Sequence, residues 1–273
     1  MKGDYETSNR KIEDATALLK DIRMGLPIGI LEMAMIPLGE FVMGSPPEEK
    51  NSKDEQPQHT VFLHTYFIDI YEASNEKYKG FLEANPDWQK GGSKARSLAD
   101  GDYLKDWSGD NYPPDKGDHP VVWVSWHAAD AYCRWEGKLL PTEAEWEKTA
   151  SWDEGNRKRL KYPWGYYEPA CIYASFKGCG DGTKKVGSHE GGRSPYGIYD
   201  MAGNVTEWVN DWYNDKYYQG SPSENPKGPD SGSARVLRGG SFGDNAYSIR
   251  SAFRLGIKPD STFGYLGFRC ARD

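Results

Sequence analysis

From Thr60 to Tyr71 the chain alternates, with Val61, Leu63, Tyr66, Ile68 and Ile70 among polar positions, the period-two pattern of a half-buried strand. At Ser74-Asn75-Glu76 the pattern becomes that of a capped helix running into Phe81-Leu82. Upstream, Ile12, Ala15, Leu18, Leu19 and Ile22 recur at helical spacing between about Glu6 and Met24, and Gly25 with Pro27 ends the run. Residues 1–34 therefore read as a helical extension that packs its apolar stripe on a main domain spanning 35–273. That domain opens with a short strand and turn over Ile36-Pro37-Leu38-Gly39-Glu40-Phe41-Val42-Met43-Gly44-Ser45.

The stretch Gly91–Asp118, rich in Gly, Asp, Lys and Trp, reads as a long exposed loop. Pro120 to Ser125 returns to strand character, and His127 to Glu136 is helical in pattern. Thr142 with Glu145 three residues later spells a capping box, so a further helix starts at Pro141-Thr142-Glu143. Beyond it come short segments and turns, with no repeat at a solenoid period.

Composition sharpens this into a loop-rich α+β expectation with low regular structure. Hydrophobic residues make up only 37%, yet aromatics reach 14%, including 10 Trp and 18 Tyr, so amphipathic rings must supply much of the buried area. The 31 Gly and 17 Pro are scattered, which favours short elements and puts function on loops. A net charge of −7 gives no basic face for nucleic acid. No apolar run approaches the roughly 20 residues a bilayer needs, and the first residues lack the basic-then-apolar pattern of a secretion signal.

Several motifs, in order, resemble the formylglycine-generating or sulfatase-modifying-factor family. They are Met35–Ser45, His119-Pro120-Val121-Val122-Trp123-Val124-Ser125-Trp126, Gly137-Lys138-Leu139-Leu140-Pro141-Thr142-Glu143-Ala144-Glu145-Trp146-Glu147, Tyr162-Pro163-Trp164-Gly165, Gly197–Trp208, Arg238-Gly239-Gly240-Ser241 and Leu266-Gly267-Phe268-Arg269-Cys270. The resemblance covers about residue 35 onward. It implies an irregular, loop-dominated fold related to C-type lectins.

In enzymes of that family the Arg-Gly-Gly-Ser motif precedes two cysteines that bind copper and oxidise a substrate cysteine. Here Ser241 is kept, but Asp244 and Ile249 stand at the two thiol positions. A carboxylate is a hard ligand and isoleucine has no donor, so neither replaces a soft thiolate. The expectation is no catalytic thiol pair, no copper and no formylglycine chemistry. The resemblance also implies a disulfide between Cys133 and Cys270. Cys171 and Cys179 are left between a second local bridge and free thiols, and no Cys-x-x-Cys pair supports zinc.

Around the Gly203-Asn204-Val205 turn the resemblance implies a structural calcium ion held by Asp200, Gly203, Val205 and Glu207, which suits a hard-oxygen cation. A second family calcium site near Ser175 and Phe176 is not carried over, because the loop that follows is shortened. The five histidines form no ligand pattern. Where the enzymes have their cleft, Phe242, Asp244, Asn245, Tyr247, Phe253 and Tyr265 mix aromatic and short polar groups, the composition of a binding surface. Lectin-like relatives diversified by retroelements carry variable residues in this same stretch. The expected function is a non-catalytic domain binding a protein or small-molecule ligand through this C-terminal cleft. The alternative is a thiol-independent oxidoreductase, of the siderophore-maturation or non-haem-iron-associated type.

Overall fold

Met33–Ile36 (β1) and Gly39–Met43 (β2) open the part of the chain that the computed structural model describes, residues 32–49 and 53–273. The helix expected near residues 6–24 lies outside the described residues. Thr60 to Tyr71 is two strands rather than one. His59–Leu63 (β3) pairs antiparallel with β2, whereas Tyr66–Asp69 (β4) joins a different sheet beside β1. The alternation survives across the break because Val61, Leu63, Tyr66 and Ile68 are all buried.

Helix α1 (Asn75–Ala84) starts where expected, with Ser74 Oγ accepting from Lys77 N–H. The 91–118 stretch differs from an exposed loop. It contains a short helix, α2 (Ser93–Leu98), and buries Tyr103, Leu104 and Trp107. Tyr103 donates to Trp88 O at 2.9 Å and shares a 2.7 Å hydroxyl contact with Tyr78, so tertiary partners order a stretch whose composition is that of a loop. Pro120–Ser125 is likewise not a strand, since Trp123 interrupts it at φ +60°.

Helix α3 (Trp126–Trp135) is capped by Ser125, and α4 (Glu143–Ser151) carries the full Thr142–Glu145 capping box. Trp152–Asp153 (β5) and Lys158–Arg159 (β6) form a hairpin. A four-stranded sheet follows in the order β10-β7-β8-β9, with β7 Thr206–Trp212, β8 Arg235–Arg238, β9 Arg254–Ile257 and β10 Leu266–Phe268; β10 runs parallel to β7. Finally β11 (Ala271–Arg272) returns to pair with β4.

The core has an aromatic part, where Tyr78 stacks on Tyr132 at 5.6 Å and Phe268 packs edge-on against both. A second part packs Trp146 and Ala150 of α4 with Ile36, Phe41 and Val61. Beneath α4 lies a buried ionic network. Arg238 reaches Glu147 at 2.5 Å, and Arg254 grips Glu143 through two bonds of 2.7 and 2.8 Å. Burial pushes the Glu143 carboxyl up, but Arg254 and Arg238 outweigh it and hold the group below its ordinary range. Removing one member of such a network leaves an uncompensated buried charge, so these arginines fix the position of β8 and β9 under the helix.

Candidate functional site

The Arg238-Gly239-Gly240-Ser241 run leaves β8 through two left-handed residues. At Gly240, φ +63°, a Cβ would lie 2.6 Å from Ser248 O, so only glycine allows the following loop to fold back this tightly. In that loop Asp244 is tied down: its Oδ2 accepts from Ser241 N at 2.9 Å and from Ser241 Oγ at 2.7 Å. Its backbone is held too, with Asp244 O accepting from Lys177 N. Ile249 is fully buried against Tyr162, Ala174 and Ala202, with Trp164 and Phe176 at the edge. One thiol position is therefore a hydrogen-bonded carboxylate and the other is packed hydrocarbon.

All four cysteines are paired, Cys133 with Cys270 across 137 residues and Cys171 with Cys179 across eight. With no thiolate available and these residues at 244 and 249, the donor set does not fit a thiol-bound copper ion.

Around Asp244 two aromatic pairs face outward. Phe263 and Tyr265 stack at 5.2 Å, and Tyr247 meets Phe253 edge-on at 5.9 Å with the Arg250 guanidinium 4.0 Å from the Tyr247 ring. Partial burial, and then the Asp244 charge, raise the Tyr265 hydroxyl above its ordinary value, which places that ring within electrostatic reach of the carboxylate. Asn245 serves the loop itself, accepting from Tyr247 N. Phe242 is half-buried, its N–H bonded to Asn204 O.

Two tryptophans, neither singled out by the sequence pattern, border this surface. Trp123, at a φ that a bulky side chain rarely adopts, is held by Trp123 Nε1 donating to Asp106 at 2.8 Å, by Lys105 over its ring, and by backbone bonding to Phe263 O. It lies against Gly264, between Phe263 and Tyr265. On the other side Trp164 stacks on Tyr162 at 5.1 Å and on Tyr173 at 5.3 Å. The strand-like run Pro120–Ser125 hid the first, and nothing local signals the second.

The expected calcium residues flank one turn, with Glu207 already in β7. Asp200 and Asn204 take left-handed φ of 57° and 58°, and Gly203 at φ +77° packs so closely that a Cβ would sit 2.1 Å from Ser175 O. Asp200 Oδ2 accepts from Gly187 N at 2.7 Å. Glu207, fully buried, receives Arg269 at both oxygens, 2.6 and 2.8 Å, and Trp146 Nε1 at 2.8 Å. Glu72, unnoticed in the sequence, joins them through Asn204 Nδ2 at 2.6 Å and Val205 N at 3.3 Å. Burial, followed by the charges of Asp200 and Glu207, pushes the Glu72 carboxyl well up. Three buried acidic side chains thus face one guanidinium, and hard oxygen donors of this kind are compatible with a calcium ion. Among the described residues, no group of three or more His, Cys, Asp or Glu side chains encloses a metal position, and the expected set relies on two carbonyls instead.

Comparison with known proteins gives the same architecture. The sulfatase-modifying factor enzyme 1-like domain profile matches residues 29–273. The chain is 38% identical over 244 residues to serine/threonine-protein kinase Pkn1 of Chlamydia caviae, a match covering 88% of this chain but only 38% of that protein's length. It is 36% identical over 281 residues to the formylglycine-generating enzyme of Streptomyces coelicolor, covering 87% of this chain and 88% of that one. Among solved structures, PvdO from Pseudomonas aeruginosa superimposes with a TM-score of 0.72 at 28% identity, over 88% of this chain and 94% of that chain. Treponema denticola variable protein 1 does so at 0.67 and 26%, with the same coverage.

Proposed function

Because the chain belongs to the family of sulfatase-modifying factor enzyme 1-like domains, we propose that it is a binding member of that family, recognising a protein or small ligand through the surface around Asp244. One observation carries the reading: the two positions that hold thiols in the enzymes are here a carboxylate locked to Ser241 and a fully buried Ile249. Around them, Tyr247, Phe263, Tyr265 and Trp123 offer rings with modest conformational entropy to lose, and the Asp244 carboxylate adds one fixed charge. Tyr247 and Tyr265 are about 40% exposed, so their truncation tests binding without emptying the core. Each should cost about 2 kcal/mol of affinity if it anchors the ligand. The experiment is affinity capture followed by titration of the purified partner against Tyr247→Ala and Tyr265→Ala. Equal affinity for wild type and both variants would place recognition elsewhere.

Calcium held by Asp200, Gly203, Val205 and Glu207 belongs to the same reading, as the ion that stiffens the turn beneath Phe242. At a hundred times its dissociation constant it stabilises by about 2.7 kcal/mol, read as a higher melting temperature that Glu207→Ala abolishes. No shift on adding millimolar calcium to chelated protein means that Arg269 alone serves the turn.

A second reading draws support from another relative, the hercynine oxygenase of Mycolicibacterium smegmatis, 30% identical over 280 residues and covering 93% of this chain. In it the chain is an oxidoreductase of the siderophore-maturation or non-haem-iron-associated type, working without thiols. Oxygen uptake that requires both added iron and a reductant would favour it over pure binding.

A further inference from the structure

The hairpin β5–β6 carries Arg157-Lys158-Arg159-Leu160-Lys161, four cations in five residues of a chain whose net charge is −7. All four line a cavity of about 350 Å³, together with Tyr166 and, among the described residues, the single carboxylate Glu49. Within it Arg159 is the unusual member. Its side chain is only 8% exposed, yet among the described residues Nε and Nη2 have no hydrogen-bond partner. Its one anionic neighbour among them, Glu49 Oε1, lies 3.6 Å from Nη1, beyond hydrogen-bond distance. Glu49 is committed elsewhere: Oε2 accepts from Arg250 Nη1 and from Ser45 Oγ, the latter at 3.1 Å.

A buried guanidinium with two idle donors is unfavourable, because desolvation removes water without supplying an acceptor. The surrounding structure nevertheless holds it there. Tyr166 donates its hydroxyl to Arg159 O, β6 pairs in register with β5, and Lys158 Nζ lies 5.9 Å from the Tyr166 ring centroid. The positioning is therefore built and the acceptor is missing. We propose that this cavity is an anion site for a phosphate group, free or as a phosphate monoester, with Arg159 as the forked donor and Arg157, Lys158 and Lys161 as the surrounding field.

The chemistry favours a dianion over a carboxylate. Four cations face one carboxylate, Glu49, which shares Arg250 with the buried Glu55, so positive charge remains in excess at the cavity, and the planar Arg fork matches two phosphate oxygens at once. Lys161 lies 5.1 Å from the Tyr162 ring centroid and pairs only loosely with the exposed Glu168 at 3.6 Å, a partner that an inward-turning ammonium can give up. This site shares no residue with the surface around Asp244, and its test is independent of that reading.

The test is calorimetric titration of the full chain with inorganic phosphate, at constant ionic strength set with chloride, and a parallel titration with acetate. Saturable one-to-one binding of phosphate is expected, weakened about tenfold or more by Arg159→Gln and less by Lys161→Gln. Melting curves establish that each variant is folded. If Arg159→Gln does not fold, the exposed Arg157→Gln combined with Lys161→Gln carries the test. Absence of saturable phosphate binding overturns the proposal, as does unchanged affinity in the folded Arg159→Gln or the double variant. Acetate binding as tightly as phosphate overturns the dianion assignment. Phosphoserine and free phosphate, compared in the same assay, show whether the esterified or the free form is the better ligand, and either ranking supports a phosphate site.

Discussion

Replacing Arg269 by methionine keeps an aliphatic stem of similar length and removes the guanidinium that gathers five acceptors. In the native chain that group bonds both oxygens of Glu207, at 2.6 and 2.8 Å, together with Asp69 O at 3.2 Å, Ile70 O at 3.3 Å and Tyr199 O at 2.9 Å. Arg269 and Glu207 are both fully buried, so the variant leaves a carboxylate with only Trp146 Nε1 and no counter-charge. Breaking a buried pair from one side costs about 3–5 kcal/mol, and three carbonyls lose a donor besides. For a domain of this size each kcal/mol moves the melting temperature by roughly 2–4 °C, so a fall of at least about 6 °C is expected. The assay is urea unfolding followed by tryptophan fluorescence, in chelator so that no cation substitutes for the guanidinium. Adding Glu207→Gln to Arg269→Met removes the orphaned charge and should recover about 1–3 kcal/mol as a coupling energy. A loss below about 1 kcal/mol for Arg269→Met, or no recovery in the double variant, would refute the assignment of this pair as the tie of the turn.

Three further outcomes are expected. Cys133→Ser with Cys270→Ser opens a loop of 137 residues, and the chain-entropy estimate puts the loss near 5 kcal/mol, read from denaturant midpoints of oxidised and variant protein. Copper-loaded protein leaves a sulfatase-type cysteine peptide unconverted, measured by mass spectrometry against a copper-only control, with Asp244→Cys plus Ile249→Cys as the informative comparison. Because burial and the neighbouring carboxylates raise the Glu72 pKa, the folded state holds that proton more tightly than the unfolded chain. Its contribution is therefore intact below the ordinary Glu range near pH ~4 and is lost as pH rises through the raised value. Glu72→Gln should flatten that decline in melting temperature in calcium-free buffer, and an unchanged pH profile would count against it.

The parts of the fold that were readable in the sequence are those specified locally. Ser74 and the Thr142–Glu145 box cap their helices because the hydroxyl and the orphan N–H groups lie within one turn of each other. Trp123 sits in a run of Val and Trp with strand propensity, whereas its conformation is dictated by Phe263, Leu104 and Asp106, all distant or turn-bound. Arg238, Arg254 and Arg269 would be assigned to the surface on residue type, yet their carboxylate partners lie 62 to 111 residues away, and no local pattern announces such a pair. The candidate site divides in the same way: the positions of Asp244 and Ile249 follow from the motif, but the burial of one and the tethering of the other depend on Tyr162, Ala174 and Ser241 in three dimensions.

Residues 266–272 supply the edge strand beside β7, the cysteine that bonds α3, the arginine under the turn, and the strand that flanks β4. During synthesis these residues emerge after every other strand of the fold. Until they do, β4 and β7 each present an open edge, and Glu207 has no counter-charge. The nascent chain is thus held short of two of its sheets, the one that β11 completes and the one that β10 completes, whatever its earlier segments have achieved.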